Sequence, residues 1–182
     1  MKKIKRNMWS VLVIMALLSP ASLVAVSEGS EAPSVMFRTL ENEMVFSRDF
    51  VGEPRILKPE EPRVNLVLIF FRTSDSQLND WMPLLLSELQ RLNKSKFRAF
   101  LVAVDENPDE IRSFQNNHRL AVPVLLDKFG AASELFGMAD ISAFNKAPAL
   151  VLIDKTGNVL YFNSHFSSMD ISDLLMKTAS LY

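Results

Sequence analysis

Cysteine is absent from all 182 residues. That absence excludes disulfides, thiolate nucleophiles, zinc–sulfur sites and iron–sulfur clusters. Histidine is almost absent too. His118 and His165 are the whole complement, and neither stands at ligand spacing to the other or to Asp75. No metal site and no cofactor is expected. Charge of one sign is also lacking, with a formal net charge of −1. Four of the twenty basic residues are Lys2, Lys3, Lys5 and Arg6, so the remainder of the chain stands at 16 − 21 = −5. A mildly acidic body offers no field for nucleic acid, and none is expected as a partner. Internal repeats and low-complexity tracts are missing. What is present is a chain 48% apolar and 23% charged, neither disordered nor collagen-like. Its length suits one well-cored domain and falls short of two.

The N-terminus has the layout of an export signal. Lys2 to Arg6 form a positive segment, and Met8–Leu18 is apolar apart from Ser10. Ser19-Pro20 ends that run, and Ala21–Val26 offers small residues for cleavage after Ala25 or Ser27. Residues 1–26 therefore read as a signal peptide. The rival reading is an uncleaved membrane anchor, for which Met8–Val26 is about the minimum spanning length. Either way the body is expected to be exported: periplasmic in a bacterium, soluble or tethered to the inner membrane. Residues 27–34 read as a small polar linker, and 35–182 as the domain.

The body alternates strands and helices. Val35–Leu40 and Met44–Phe46 flank Glu41-Asn42-Glu43 as a short hairpin. Glu53–Pro62 carries three prolines and reads as an exposed loop. Val64–Phe71 is apolar except for Asn65, the pattern of a strand buried on both faces. In Leu78–Leu92, Leu78, Trp81, Met82, Leu85, Leu89 and Leu92 fall on one helical stripe, with Pro83 expected to kink it. Phe100–Val104 reads as a second buried strand. Asn107-Pro108-Asp109-Glu110 starts a helix with an Asn cap, Pro in the first turn and acids at the positive end. His118 falls near that helix's C-terminus, and His165 lies in a polar loop. Val122–Leu126 is a strand and Gly130–Phe136 a brief helix. Strands Ala149–Ile153 and Val159–Phe162 are joined by a tight turn at Asp154–Asn158, and Ile171–Thr178 closes as a helix. The order predicts a three-layer α/β/α sandwich with a mixed central sheet and an N-terminal β-hairpin extension.

Two stretches carry a resemblance. Phe70-Phe71-Arg72-Thr73-Ser74-Asp75-Ser76-Gln77-Leu78, followed by Pro83, resembles the active-site strand–helix junction of thioredoxin-like proteins, particularly the TlpA-like members of the redoxin (AhpC/TSA) superfamily. In register, Asp75 and Leu78 stand at the two positions of the family's Cys-x-x-Cys, and Pro83 matches its helix proline. Ser74 replaces the aromatic that precedes the first Cys. Asn145-Lys146-Ala147-Pro148, the strand after it and Asp154-Lys155-Thr156-Gly157 resemble the family's cis-proline loop, strand and turn, with Pro148 as the cis-proline. Gly29–Pro33 and Pro123–Gly130 resemble further family segments, so the likeness spans about residues 29–178.

The resemblance implies a thiol–disulfide fold without its chemistry. A thioredoxin stabilises a thiolate at a helix N-terminus, and a second thiol resolves the mixed disulfide. Here Asp75 keeps charge without sulfur, and its plain role is a helix cap, with Ser74 and Gln77 as an alternative capping box. Leu78 fills its slot with apolar volume. Ile69 stands where the family often keeps a polar residue for proton transfer. A peroxidase lacks its peroxidatic cysteine. No catalytic residue is expected, and what remains is a binding surface. Arg72, Ser74, Asp75, Trp81, Lys146, Ala147 and Pro148 are the candidate groove, where backbone beside Pro148 pairs with an extended peptide. Trp81 lies on the apolar stripe as well, which makes it a core residue by pattern. The leading expectation is an exported, non-catalytic module of the cell envelope that binds a protein or extended peptide, in an accessory or chaperone-like role. The alternatives are a divergent oxidoreductase or antioxidant redoxin acting with a partner's thiols, and a membrane-anchored structural spacer.

Overall fold

The structure is a computed structural model, and it describes residues 26–54, 62–75, 78–104, 107–138 and 148–181. Residues 1–25, which hold nearly all of the expected signal or anchor, lie outside the described residues, as do most of the proline-rich loop, Gln77, Lys146 and Ala147.

The strands are β1 (Met36–Thr39), β2 (Met44–Phe46), β3 (Asn65–Phe71), β4 (Phe97–Val104), β5 (Val124–Asp127), β6 (Ala149–Ile153) and β7 (Val159–Asn163). The helices among the described residues are α1 (Leu78–Arg91), α2 (Pro108–His118), α3 (Ala131–Leu135) and α4 (Ile171–Ala179). One seven-stranded sheet runs in the order β2-β1-β5-β4-β3-β6-β7. Strands β3, β4 and β5 are parallel, and the remaining pairings are antiparallel. The mixed sheet and the N-terminal hairpin match the expectation.

Strand periodicity divides the core in two. Val67, Ile69 and Phe71 of β3 face one side with Leu101, Leu150 and Leu152, under α1, α2 and α4. Leu66, Leu68 and Phe70 face the other with Val102, Val151 and Ile153, under α3 and the N-terminal segment at Ala32, Val35 and Val51. Every residue of β3 is buried, as a strand covered on both faces must be. Helix α1 continues through Pro83 to Arg91. Asn107 caps α2, its side chain accepting from the Asp109 N–H at 2.9 Å, with Pro108 as the first helical residue.

Three polar residues hold the connections. Asn65 is buried, donates from Nδ2 to the Lys96 carbonyl and accepts the Lys155 N–H at 3.0 Å. It stitches the start of β4 to the turn after β6. Asp127, 2% exposed, accepts the Ala132 and Ser133 N–H groups, both at 2.8 Å, and so caps α3 with both oxygens. Asp154 organises the β6–β7 turn, accepting the Thr156 hydroxyl at 2.6 Å and the Thr156 and Asn158 N–H groups at 2.9 Å. Burial opposes its ionisation, but the hydrogen bonds from the Thr156 hydroxyl and the turn's N–H groups outweigh it and hold its pKa below the usual carboxylate value.

The segment expected as a linker is tied to this turn. Gly29 N–H donates to the Val159 carbonyl at 2.7 Å, Ala32 N–H to Gly157 at 2.8 Å, and Val159 N–H to Ser30 at 2.9 Å. Arg48 reaches the same place, bridging to Glu31 at 2.6 Å. Gly157 has φ +97°, and a Cβ there would lie 3.1 Å from both the Arg48 Nη1 and the Gly52 Cα. Glycine is required by both conformation and space.

Candidate functional site

The site forms where β3 ends and α1 begins. Antiparallel pairing sets Phe70 opposite Ala149, so Arg72–Asp75 leave the sheet beside Pro148. The chain turns through Arg72 and Asp75, with Asp75 N–H donating to the Arg72 carbonyl at 3.1 Å. Leu78 N–H then donates to the Asp75 carbonyl at 3.2 Å as the helix starts. This strand–turn–helix geometry presents residues 72–75 at the C-terminal edge of the parallel strands, the side on which open α/β sheets carry their sites.

Each candidate has a definite place. Arg72 is half-buried, and its Nε donates to the Val104 carbonyl at 3.3 Å, tying the ends of β3 and β4 together. Ser74 is exposed and Asp75 half-buried. The Asp75 Oδ2 accepts the indole N–H of Trp81 at 3.1 Å. Trp81 is 2% exposed and packs edge-on against Phe166, with ring centroids 6.4 Å apart at 87°. Phe166 N–H donates to the carbonyl of Pro148 at 2.8 Å. One connected path therefore runs from Asp75 through Trp81 and Phe166 to Pro148. The Trp81 ring belongs to the core, and its polar edge supports the turn. Leu78 is 5% exposed and lies in the same core cluster. The bond into Pro148 starts at Ala147, so its expected cis geometry lies outside the described residues, as do Lys146 and the Ser74–Gln77 capping box.

An open cleft of about 510 Å³ lies beside the turn, between Thr73 and the first turns of α2. It is lined by Asp109, Glu110, Ser113, Phe114 and Asn117. Asp109 and Glu110 occupy the helix's positive end, where carboxylates are favoured. The sequence places these acids at the positive end of the helix that Asn107 caps; their position next to Thr73 follows only from the fold. His118 ends α2, exposed, its ring 4.3 Å from that of Phe114. His165 is exposed on the loop after β7, its N–H donating to Asn163. Among the described residues no three His, Asp or Glu gather as metal ligands.

Residues 29–162 match the AhpC/TSA family, a span that holds β3, its turn, β6 and all of β7 but its last residue. The chain belongs to the AhpC/TSA family. Solved structures agree on a thioredoxin-like fold. A protein assigned as the thiol:disulfide interchange protein DsbE of Chlorobium tepidum superposes with a TM-score of 0.68 at 18% identity, covering 86% of this chain and 99% of that one. The thioredoxin domain of a thiol-disulfide oxidoreductase from Bacteroides vulgatus gives 0.63 at 17%, covering 84% and 98%. A secreted Mycobacterium tuberculosis disulfide oxidoreductase homologous to E. coli DsbE gives 0.60 at 17%, covering 81% and 96%. No curated protein matches the sequence. This AhpC/TSA member has no cysteine anywhere. No thiolate can form at the α1 N-terminus, and no mixed disulfide can be made with this chain alone.

Proposed function

We propose that this chain is an exported, non-catalytic thioredoxin-like module that binds an extended polypeptide of the cell envelope beside Pro148. The single observation that supports it most is the fate of the redox positions. Asp75 is engaged with Trp81 and Leu78 is packed in the core, so both serve the turn that presents Arg72 and Ser74. In this reading the chain leading into Pro148 offers the backbone edge, and an edge recognises extended peptide through main-chain pairing. Export rests on the charged and apolar segment Lys2–Leu18.

The test is an NMR titration of the protein with an S-carboxymethylated, permanently unfolded polypeptide. The amides of Arg72–Asp75 and Ala149 should shift together and saturably. Shifts confined elsewhere, or none at millimolar polypeptide, refute the binding site. N-terminal sequencing of the exported protein tests the signal: cleavage near Ala25 or Ser27 is expected, and an intact Met1 would assign Met8–Val26 as an anchor.

A further inference from the structure

Strand β4 begins before its neighbour on one side. It pairs with β3 from Phe97 onward, whereas β5 joins it only at Leu101, opposite Val124. Parallel ladders send alternate residues to opposite neighbours. Asn65 N–H donates to the Lys96 carbonyl at 2.8 Å, and Leu101 N–H to the Pro123 carbonyl at 3.1 Å. Even-numbered residues of β4 therefore serve β3, and odd-numbered ones serve β5. Phe97 is satisfied locally: its N–H donates to Asn93 at 2.9 Å, and its carbonyl accepts from Arg98 Nη1 at 3.2 Å. At Ala99 the alternation directs both N–H and C=O to a side where β5 has not begun.

That short edge borders a cavity of about 850 Å³ at the end of the sheet opposite Ser74 and Pro148. Leu89, Leu92, Phe97 and Val122 supply apolar lining, and the charged residues of the lining are Lys94 and Arg98 alone. Both are exposed. Arg98 Nη1 also donates to the Lys94 carbonyl, which keeps the guanidinium at the cavity wall. Glu88, the acid on the adjoining turn of α1, is bridged by Arg91 at 2.9 Å. In a chain whose body is acidic, this wall is locally basic.

We infer that the cavity is a second binding site, for a short extended peptide with an apolar side chain next to an acidic one. Its backbone adds to β4 at Ala99, its apolar side chain enters the Leu89–Val122 cavity, and its carboxylate meets Lys94 and Arg98. The backbone donor and acceptor at Ala99 select a peptide over a lipid-like anion, which has no N–H to return.

The experiment is an amide-shift titration of the full-length protein with three probes: an N-acetylated, amidated peptide Glu-Leu-Val-Glu, its counterpart Lys-Leu-Val-Lys, and octanoate. The acidic peptide should shift the Arg98 and Ala99 amides and bind about tenfold tighter than the basic one. Arg98→Glu, and separately Lys94→Glu, should abolish or reverse that preference with an unchanged circular dichroism spectrum. Equal affinity for the two peptides overturns the charge assignment. An unmoved Ala99 amide at millimolar peptide overturns the site. Octanoate moving the same amides at equal affinity overturns the peptide and assigns the cavity to an apolar anion.

Discussion

The hydrogen bond from Trp81 engages Asp75, the residue that the resemblance sets at the family's first cysteine position, and a double-mutant cycle measures it. The bond is 3.1 Å long, and its acceptor is a carboxylate. Hydrogen bonds to charged groups contribute about 1.5–3 kcal/mol. Asp75 is half-buried, so water competes for it and the lower end of that range applies. Trp81→Phe removes the donor and some ring volume against Phe166, and should cost about 2 kcal/mol, less than the ~3–5 kcal/mol of full truncation to alanine. Asp75→Ala should cost about 1.5 kcal/mol. If one bond underlies both losses, the double variant should cost about 1.5 kcal/mol less than the sum. Urea unfolding followed by far-ultraviolet circular dichroism reads all four proteins without relying on tryptophan. Additivity within about 0.3 kcal/mol refutes the pairing.

Other perturbations test the rest of the framework. Asp127→Ala should destabilise by about 2–4 kcal/mol, because it strands the Ala132 and Ser133 N–H groups inside the protein; a loss under about 0.5 kcal/mol in denaturant unfolding contradicts the cap. Gly157→Ala should cost at least about 1 kcal/mol, since φ is +97° and the new Cβ meets Arg48 and Gly52; an unchanged melting temperature contradicts that crowding. Asp154 has a folded pKa below its unfolded value, so its contribution is full above about pH 4 and is lost as pH falls through the folded value. The stability gap between the wild type and Asp154→Asn should therefore narrow in acid, and a gap that widens below pH 4 reverses the sign.

Much of the fold was legible because local and global signals agree. The apolar run of β3, the stripe of α1 and the Asn107-Pro108 start of α2 each state their structure in neighbouring residues. Strand limits were less legible. Strand β4 starts at Phe97 rather than Phe100, because exposed Arg98 alternates with buried Phe97 and Phe100 and breaks the apolar run without breaking the strand. Strand β5 starts at Val124 rather than Val122, because Pro123 has no N–H for the ladder and contributes only its carbonyl.

The polar staples were illegible. Asp127 looks like any acid after a strand until the chain folds its oxygens onto a helix start five residues on. Asn65 acts on residues 31 and 90 positions away, beyond any local window. At the site, the turn and the burial of Leu78 could be read from spacing. The Asp75–Trp81 bond spans six residues across a turn and had no periodic signature. The cavity at Ala99 is a consequence of unequal strand lengths, which no motif announces.

The chain is an AhpC/TSA family member without cysteine, and the proposal that its α1 start keeps the geometry of the family's redox site is tested most directly by one measurement. It is insulin-disulfide reduction by the wild type and by the Asp75→Cys, Leu78→Cys double variant, with dithiothreitol as electron source. The wild type should not exceed the uncatalysed rate, and the folded double variant should show measurable dithiol turnover. Turnover by the wild type alone, or a well-folded double variant with none, contradicts the claim.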